Sequence, residues 1–154
     1  MPRTVNVAFS ESLNPGALLA DFLDSLPEEV GAVAVFIGRV KGRIEGRRVE
    51  SLMYEVVEPS SSQSLERIAR EELEKNNLLA VSIHHKKGVA VPGEPVLFIA
   101  VASKSREEAV SGLRSTLERV KHEAYVWKLE KREDGEYWII GDRKRVPRRP
   151  RADA

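Results

Sequence analysis

Two lysines seven residues apart, Lys121 and Lys128, are the side chains best placed to do chemistry. Lys121 falls near the end of a predicted helix. On a helical wheel with Ala109 at 0°, Leu117 lies at about 80° and Lys121 at about 120°, on the flank of the apolar stripe. An ammonium partly withdrawn from water loses basicity and becomes usable as an acid, a base or a nucleophile near neutral pH. The same position also suits a snorkelling lysine, with its stem on the core and its charge in water, and spacing alone leaves both readings open. Lys128 follows Trp127 in a predicted strand, where it shares a face with Glu130 while Trp127 and Leu129 share the other. That pair is either an exposed ion pair of little energetic worth or a carboxylate orienting a lysine towards an anionic substrate.

Other basic residues are weaker candidates. Arg106 falls at about 60° on the same wheel, in the first helical turn, where free backbone N–H groups and a guanidinium suit a phosphate or carboxylate. Glu107 and Glu108 already complement that helix end and would repel an anion. Arg39, Lys41, Arg43, Arg47 and Arg48 crowd a predicted hairpin turn and read first as a solvated rim. His84 and His85 are adjacent, so in a strand they point to opposite faces and cannot form a metal pair; His122 is distant in sequence. With no cysteine and no H-x-H spacing, no metal is assigned. The phosphate-loop, dinucleotide, HExxH and G-x-S-x-G motifs do not occur.

The elements that must position these residues fit one α+β domain of 154 residues. Thr4 to Phe9 reads as a strand, and Asn14-Pro15 caps a first helix. Gly31 to Val40 and Val49 to Val57 read as strands paired in a hairpin across the glycine-bounded segment Gly42 to Gly46. Leu65, Ile68, Ala69 and Leu73 stripe a helix over Ser60 to Asn77. Leu79 to His85 is a strand, and Pro95 to Ala102, the most apolar run, is a central one. Ser105 and Glu108 form a capping box for a helix to Ala124 with Ala109, Val110, Leu113, Leu117 and Val120 inward. Tyr125 to Lys131 and Glu136 to Ile140 flank an Asp134-Gly135 turn. The expected division is a folded domain over 1–140 and a basic tail over 141–154 that is extended or disordered when unbound.

Charge and composition exclude several classes. The chain carries 25 Lys+Arg, 24 Asp+Glu and no cysteine, which removes disulfides, thiol nucleophiles and Cys-ligated metals. The segment from Gly141 carries a net charge of +4, leaving −3 on the rest, an acidic body with a basic tail rather than a basic nucleic-acid binder. The start, MPRTVNVAFSE, has no apolar signal core, and nowhere do about 18 apolar residues run together. The reading is a cytoplasmic, soluble protein with no nucleic-acid or membrane partner.

The order of the pieces carries a resemblance. G-A-V-A-V-F-I-G-R-V-K from Gly31, L-M-Y-E from Leu52, I-H-H-K-K-G from Ile83 and V-P-G-E from Val91 come in that order. V-A-S-K-S-R-E-E-A from Val101, K-x6-W-K-L-E from Lys121 and D-G-E-Y-W from Asp134 follow. Together they resemble the large, catalytic subunit of molybdopterin synthase from about residue 4 to residue 140.

The resemblance implies an α/β-hammerhead type of α+β fold and a homodimer of large subunits. Each large subunit would bind a small ubiquitin-like sulfur carrier whose C-terminal Gly-Gly ends in a thiocarboxylate, giving a heterotetramer. It implies two sulfur transfers that convert cyclic pyranopterin monophosphate into the molybdopterin dithiolene, without metal or other cofactor. Lys121 matches the catalytic lysine of the last helix, expected to move a proton or stabilise charge at the attacked carbon. Lys128 matches the second lysine, expected to hold substrate and the tail carboxylate, with Leu129 and Glu130 beside it. Arg39, Val40 and Lys41 match a substrate-binding stretch that usually ends in arginine. Ser105-Arg106 matches a His-Arg pair with the histidine absent, and Tyr125 stands where proline is common. Arg143 is the candidate for an arginine that reaches the other subunit's site. An alternative is a non-catalytic adaptor of the same fold that binds a ubiquitin-like partner; a turnover assay separates the two.

Overall fold

The computed structural model describes residues 4–140 and 144–148. Strands β1 (Thr4–Ser10), β2 (Ala32–Arg39), β5 (Ala80–Lys86) and β7 (Pro95–Ser103) form a four-stranded sheet in the order β1-β5-β7-β2. β1 runs parallel to β5, and the other pairings are antiparallel. Helix α1 (Pro15–Asp24) covers one face, and α2 (Ser60–Lys75) and α3 (Arg106–Glu123) cover the other.

β7 shows why its sequence is apolar throughout. Leu97, Ile99 and Val101 point to α2 and α3, whereas Phe98, Ala100 and Ala102 point to α1 with Phe22. A central strand covered on both faces needs apolar residues at both parities. α1 begins as its sequence requires, with the Asn14 Oδ1 accepting from the Ala17 N–H at 3.1 Å and Pro15 in the first turn. On α2 the stripe Leu65, Ile68, Ala69 and Leu73 is buried, as the spacing predicts.

The second sheet follows the order β10-β9-β8-β4-β3, with β6 also on β4. It comprises β3 (Arg43–Ile44), β4 (Arg47–Val56), β6 (Gly88–Ala90), β8 (Val126–Arg132), β9 (Gly135–Ile140) and β10 (Lys144–Pro147). The expected hairpin between the Gly31–Val40 and Val49–Val57 runs is not formed. β2 pairs with β7, while β4 turns back on the short β3 instead. Val40 explains the break. Its N–H donates to the Glu94 carbonyl at 3.0 Å and its carbonyl accepts from the Gly93 N–H at 2.8 Å, which hands the chain from one sheet to the other. The β3–β4 turn then places Glu45 and Gly46 at φ 52° and 77°, the primed geometry that suits strand twist. β8 and β9 form the hairpin expected around Asp134-Gly135.

α3 departs from its expected face in one place. Ala109, Gly112, Thr116 and Val120 are buried, and Val110 is 64% exposed rather than inward. Gly112 lies so close to Leu78 that an added Cβ would come within 2.8 Å of it. That close approach turns the small residues inward and leaves Val110 in solvent. The Ser105 hydroxyl donates to the Glu108 carboxylate and makes no side-chain bond to the helix backbone, so the two residues of the expected capping box meet side chain to side chain instead of capping backbone N–H groups. Among the described residues, no helix is long and apolar enough to cross a membrane.

Candidate active site

The space between the two sheets collects the candidate residues. Its lining includes Arg39, Lys41, Lys121, Lys128, Glu130, Arg145 and His85, over an apolar floor of Ile44, Val49, Leu52, Tyr54, Val96, Leu97 and Ile139. The second sheet contributes a cross-strand row. Tyr54 on β4 is opposite Lys128 on β8, which is opposite Ile139 on β9, which is opposite Arg145 on β10. Partners in such a row share one face, so the pairing itself aims all four side chains into the pocket. Lys128 holds its Nζ 5.9 Å from the Tyr54 ring centroid, within cation–π range.

α3 delivers Lys121 in its last turn, where a cation also complements the helix carbonyl end. The four-stranded sheet delivers Arg39 through an irregularity in register. Gly38 pairs with Leu97 but Arg39 pairs with Pro95, so Val96 is the extra residue of a bulge. Bulges re-aim side chains, and here Gly38, Arg39 and Val96 all line the pocket. Gly93, at φ 87°, packs against the Arg39 guanidinium, which a Cβ at that position would approach to 3.1 Å.

Glu130 is 1% exposed, which rules out the reading of a solvent-facing pair with Lys128. Its carboxylate accepts from Arg145, Nε to Oε1 at 2.8 Å and Nη2 to Oε2 at 3.2 Å, with the Arg132 Nε 3.8 Å away. Arg132 itself pairs with Asp134 at 3.0 Å and covers the Tyr137 ring at 3.9 Å. Among the described residues, the lining therefore holds one carboxylate, already engaged by Arg145, and five basic side chains. The pocket is built for an anion.

His84 and His85 do point to opposite faces. His84 meets Phe98 edge-on at 6.2 Å on the α1 side, where burial lowers its pKa. His85 lies on the pocket side, between Phe9 at 5.4 Å and Tyr54 at 5.2 Å, with its Nδ1 2.7 Å from the Lys86 carbonyl oxygen. Burial pushes its pKa down to about 3; the Lys86 hydrogen bond opposes that shift, and the Lys128 and Lys121 charges add to it. Among the described residues, no group of three or more His, Asp or Glu side chains is placed to hold a metal.

Not every candidate converges. The Val40 side chain is buried in the core of the second sheet, and both of its backbone groups are bonded to the Gly93–Glu94 turn. Leu129 points to the opposite face of β8 from Lys128 and lies outside the lining. Ser105 and Arg106 are exposed at the far end of α3, about 22 Å along the helix from Lys121 at 1.5 Å per residue. Arg143 lies outside the described residues. Arg145 and Tyr54 were not singled out by sequence. Tyr54 stands in the quoted L-M-Y-E segment, and Arg145 becomes visible only through the β9–β10 register.

This arrangement can be set beside known proteins. Residues 10–123 match the family model described as MoaE protein. The chain belongs to the MoaE family. It is 40% identical to the molybdopterin synthase catalytic subunit of Bacillus subtilis over 111 residues, covering 72% of this chain and 71% of the relative. To the molybdopterin synthase catalytic subunit of Pyrococcus abyssi it is 34% identical over 113 residues, 73% of this chain and 76% of the relative. The crystal structure of molybdopterin synthase from Staphylococcus aureus superposes with a TM-score of 0.74 at 30% identity, covering 87% of this chain and 95% of that one. The α+β architecture read from the MoaE-like segments is thus also the architecture of a solved synthase.

Proposed function

We propose that this chain is the catalytic subunit of a molybdopterin synthase, a sulfurtransferase that moves sulfur from a thiocarboxylated protein C-terminus onto cyclic pyranopterin monophosphate. The observation that carries the reading is the convergence of Lys121 and Lys128, from a helix end and a separate sheet, in one pocket with Arg39 and Lys41. Fixed cations in a partly apolar cleft stabilise negative charge as it develops, because little reorganisation is needed during reaction. Lys121 serves the reacting carbon by proton transfer or charge stabilisation, and Lys128 holds the substrate and the tail carboxylate. Arg39, Lys41 and Arg145 supply the anion grip for the phosphate, Arg145 being aimed by Glu130.

The sulfur must come from elsewhere, since the chain contains no cysteine. A small ubiquitin-like subunit ending in a Gly-Gly thiocarboxylate fits that need, because its C-terminus carries both the sulfur and a negative charge that the basic pocket attracts. The family's homodimer, a heterotetramer with two small subunits, supplies a place for Ser105 and Arg106. Too far along α3 to serve their own pocket, they are assigned to the pocket of the second large subunit. The cytoplasm is the proposed compartment, in keeping with the absence of cysteine.

Purified chain, thiocarboxylated small subunit and pyranopterin substrate are expected to yield molybdopterin, and Lys121→Ala to lower the rate by about 100-fold or more with an unchanged circular dichroism spectrum. Undiminished turnover in Lys121→Ala would remove the lysine from its role. A folded wild-type chain that binds the small subunit without any turnover would be the adaptor instead.

A further inference from the structure

His85 lines the pocket but has no part in the reading above. Its side chain is 3% exposed, and its ring contacts both the Phe9 and the Tyr54 rings. The Lys86 carbonyl can only accept, so the 2.7 Å contact places the ring proton on Nδ1 and leaves the lone pair on Nε2. The imidazole is neutral near pH 7 and feels the charges of both Lys128 and Lys121. Lys128 and His85 also share the Tyr54 ring, the ammonium 5.9 Å from its centroid and the imidazole 5.2 Å.

A neutral acceptor suits this place for a physical reason. A second carboxylate would hold an ammonium firmly but would cancel the charge the anionic substrate requires. An imidazole lone pair supplies the hydrogen bond without that cancellation, and a bond to a charged donor is stronger than one between neutral groups. We propose that His85 is a positioning residue for Lys128: in the loaded pocket its Nε2 accepts a hydrogen bond from the Lys128 ammonium, which keeps its full charge for the substrate. The proposal rests on the reading of this pocket as the sulfur-transfer site.

Two variants separate positioning from packing. His85→Gln keeps an acceptor near the Nε2 position, whereas His85→Phe keeps the ring and removes the acceptor. The first measurement is the acylation rate of Lys128 by an N-hydroxysuccinimide ester on the folded chain with inorganic phosphate filling the pocket, mapped by mass spectrometry. The second is kcat and KM with thiocarboxylated small subunit. His85→Phe is expected to raise the Lys128 acylation rate by at least about 3-fold and to lower kcat/KM by about 10-fold, chiefly through KM because Lys128 holds the substrate and the tail carboxylate, the scale of one bond to a charged donor. His85→Gln is expected to restore both to near wild type. Wild-type Lys128 reactivity in His85→Phe, or equal impairment of the Gln and Phe variants, would overturn the proposal. Should His85→Phe not fold, His85→Asn replaces it, since the shorter amide reaches the Lys86 carbonyl and not the Nε2 position; Asn as active as Gln would overturn the proposal equally. A wild-type chain without sulfur transfer would defeat the functional reading, while the acylation rates would still decide the contact between His85 and Lys128.

Discussion

Glu130 on β8 and Arg145 on β10 meet through two hydrogen bonds, at 2.8 and 3.2 Å, although β9 runs between their strands. The contact is diagonal: Arg145 lies directly opposite Ile139, which lies directly opposite Lys128, two residues before Glu130. A buried carboxylate thus fixes the last described strand to the pocket wall and presents a guanidinium beside Lys128. The basic tail, which by sequence alone could have been extended or disordered, is a β-strand over Lys144–Pro147.

Removing Arg145 is predicted to destabilise the fold as well as the site. Truncating one partner of a buried ion pair leaves the other charge uncompensated, at a typical cost of about 3–5 kcal/mol. Arg132, 3.8 Å from the same carboxylate, retains part of that compensation, so about 2 kcal/mol is expected for Arg145→Ala in urea unfolding. Glu130→Gln together with Arg145→Ala should recover part of the loss. A double variant no more stable than Arg145→Ala would show that the buried charge is not the cause.

Lys128→Ala is predicted to lower kcat/KM by about 100-fold with a change below about 1 kcal/mol in stability, since it removes charge at the site and little core. Lys128→Arg keeps the charge but not the compact ammonium, and should recover only part of the activity. The check is steady-state kinetics alongside chemical denaturation. Full recovery in Lys128→Arg would reduce the lysine's role to bulk charge.

Sequence periodicity located most elements because local rules agreed with the packing. The alternation in β7, the stripe on α2 and the Asn14-Pro15 cap each follow from one element and its immediate neighbours. The failures were of contacts between elements. Val110 satisfied the helical wheel, but the close approach of Gly112 to Leu78 decided which face of α3 turned inward. The pairing of β2 with β7 rather than β4 depended on Val40 binding the distant Gly93–Glu94 turn. At the site, residue type and spacing left both lysines open between a structural and a functional reading, and only the MoaE-like order of segments suggested a role for them. Arg145 was not legible, because it is one of several similar basic residues in the tail and only strand register distinguishes it. Nor was the place of His85, because alternation shows a face without showing that a second sheet closes over it.

The depressed pKa of His85 predicts an acid-sensitive fold. The unfolded chain takes up the proton near pH 6.5, while the native imidazole resists until about pH 3. The unfolded state therefore binds more protons throughout that window, and stability falls as pH drops through it, by about 1 kcal/mol per unit. His84, shifted in the same direction by burial, adds to the slope. Urea unfolding at pH 7 and pH 5 is expected to show a smaller loss for His85→Gln than for wild type. Equal losses in the two proteins would mean that His85 is protonated normally in the native state.

Gly93 supplies a test of how Arg39 is aimed. Its φ of 87° is strained for any L side chain, and an added Cβ would come within 3.1 Å of the Arg39 guanidinium. Its N–H also donates to Val40 at 2.8 Å, so the turn cannot move away without loosening the strand exit that carries Arg39 and Lys41. Gly93→Ala should therefore cost about 1 kcal/mol of stability from backbone strain. The guanidinium, at the flexible end of its side chain, should give way, raising KM for the pterin phosphate several-fold while leaving kcat nearly unchanged, since neither lysine is displaced. The decisive comparison uses an Arg39→Ala background. Residues that act through one another are not additive, so once the arginine is absent Gly93→Ala should leave KM unaltered. A KM that rises equally in both backgrounds would mean that the turn acts on Lys41, or on the pocket as a whole, rather than through Arg39.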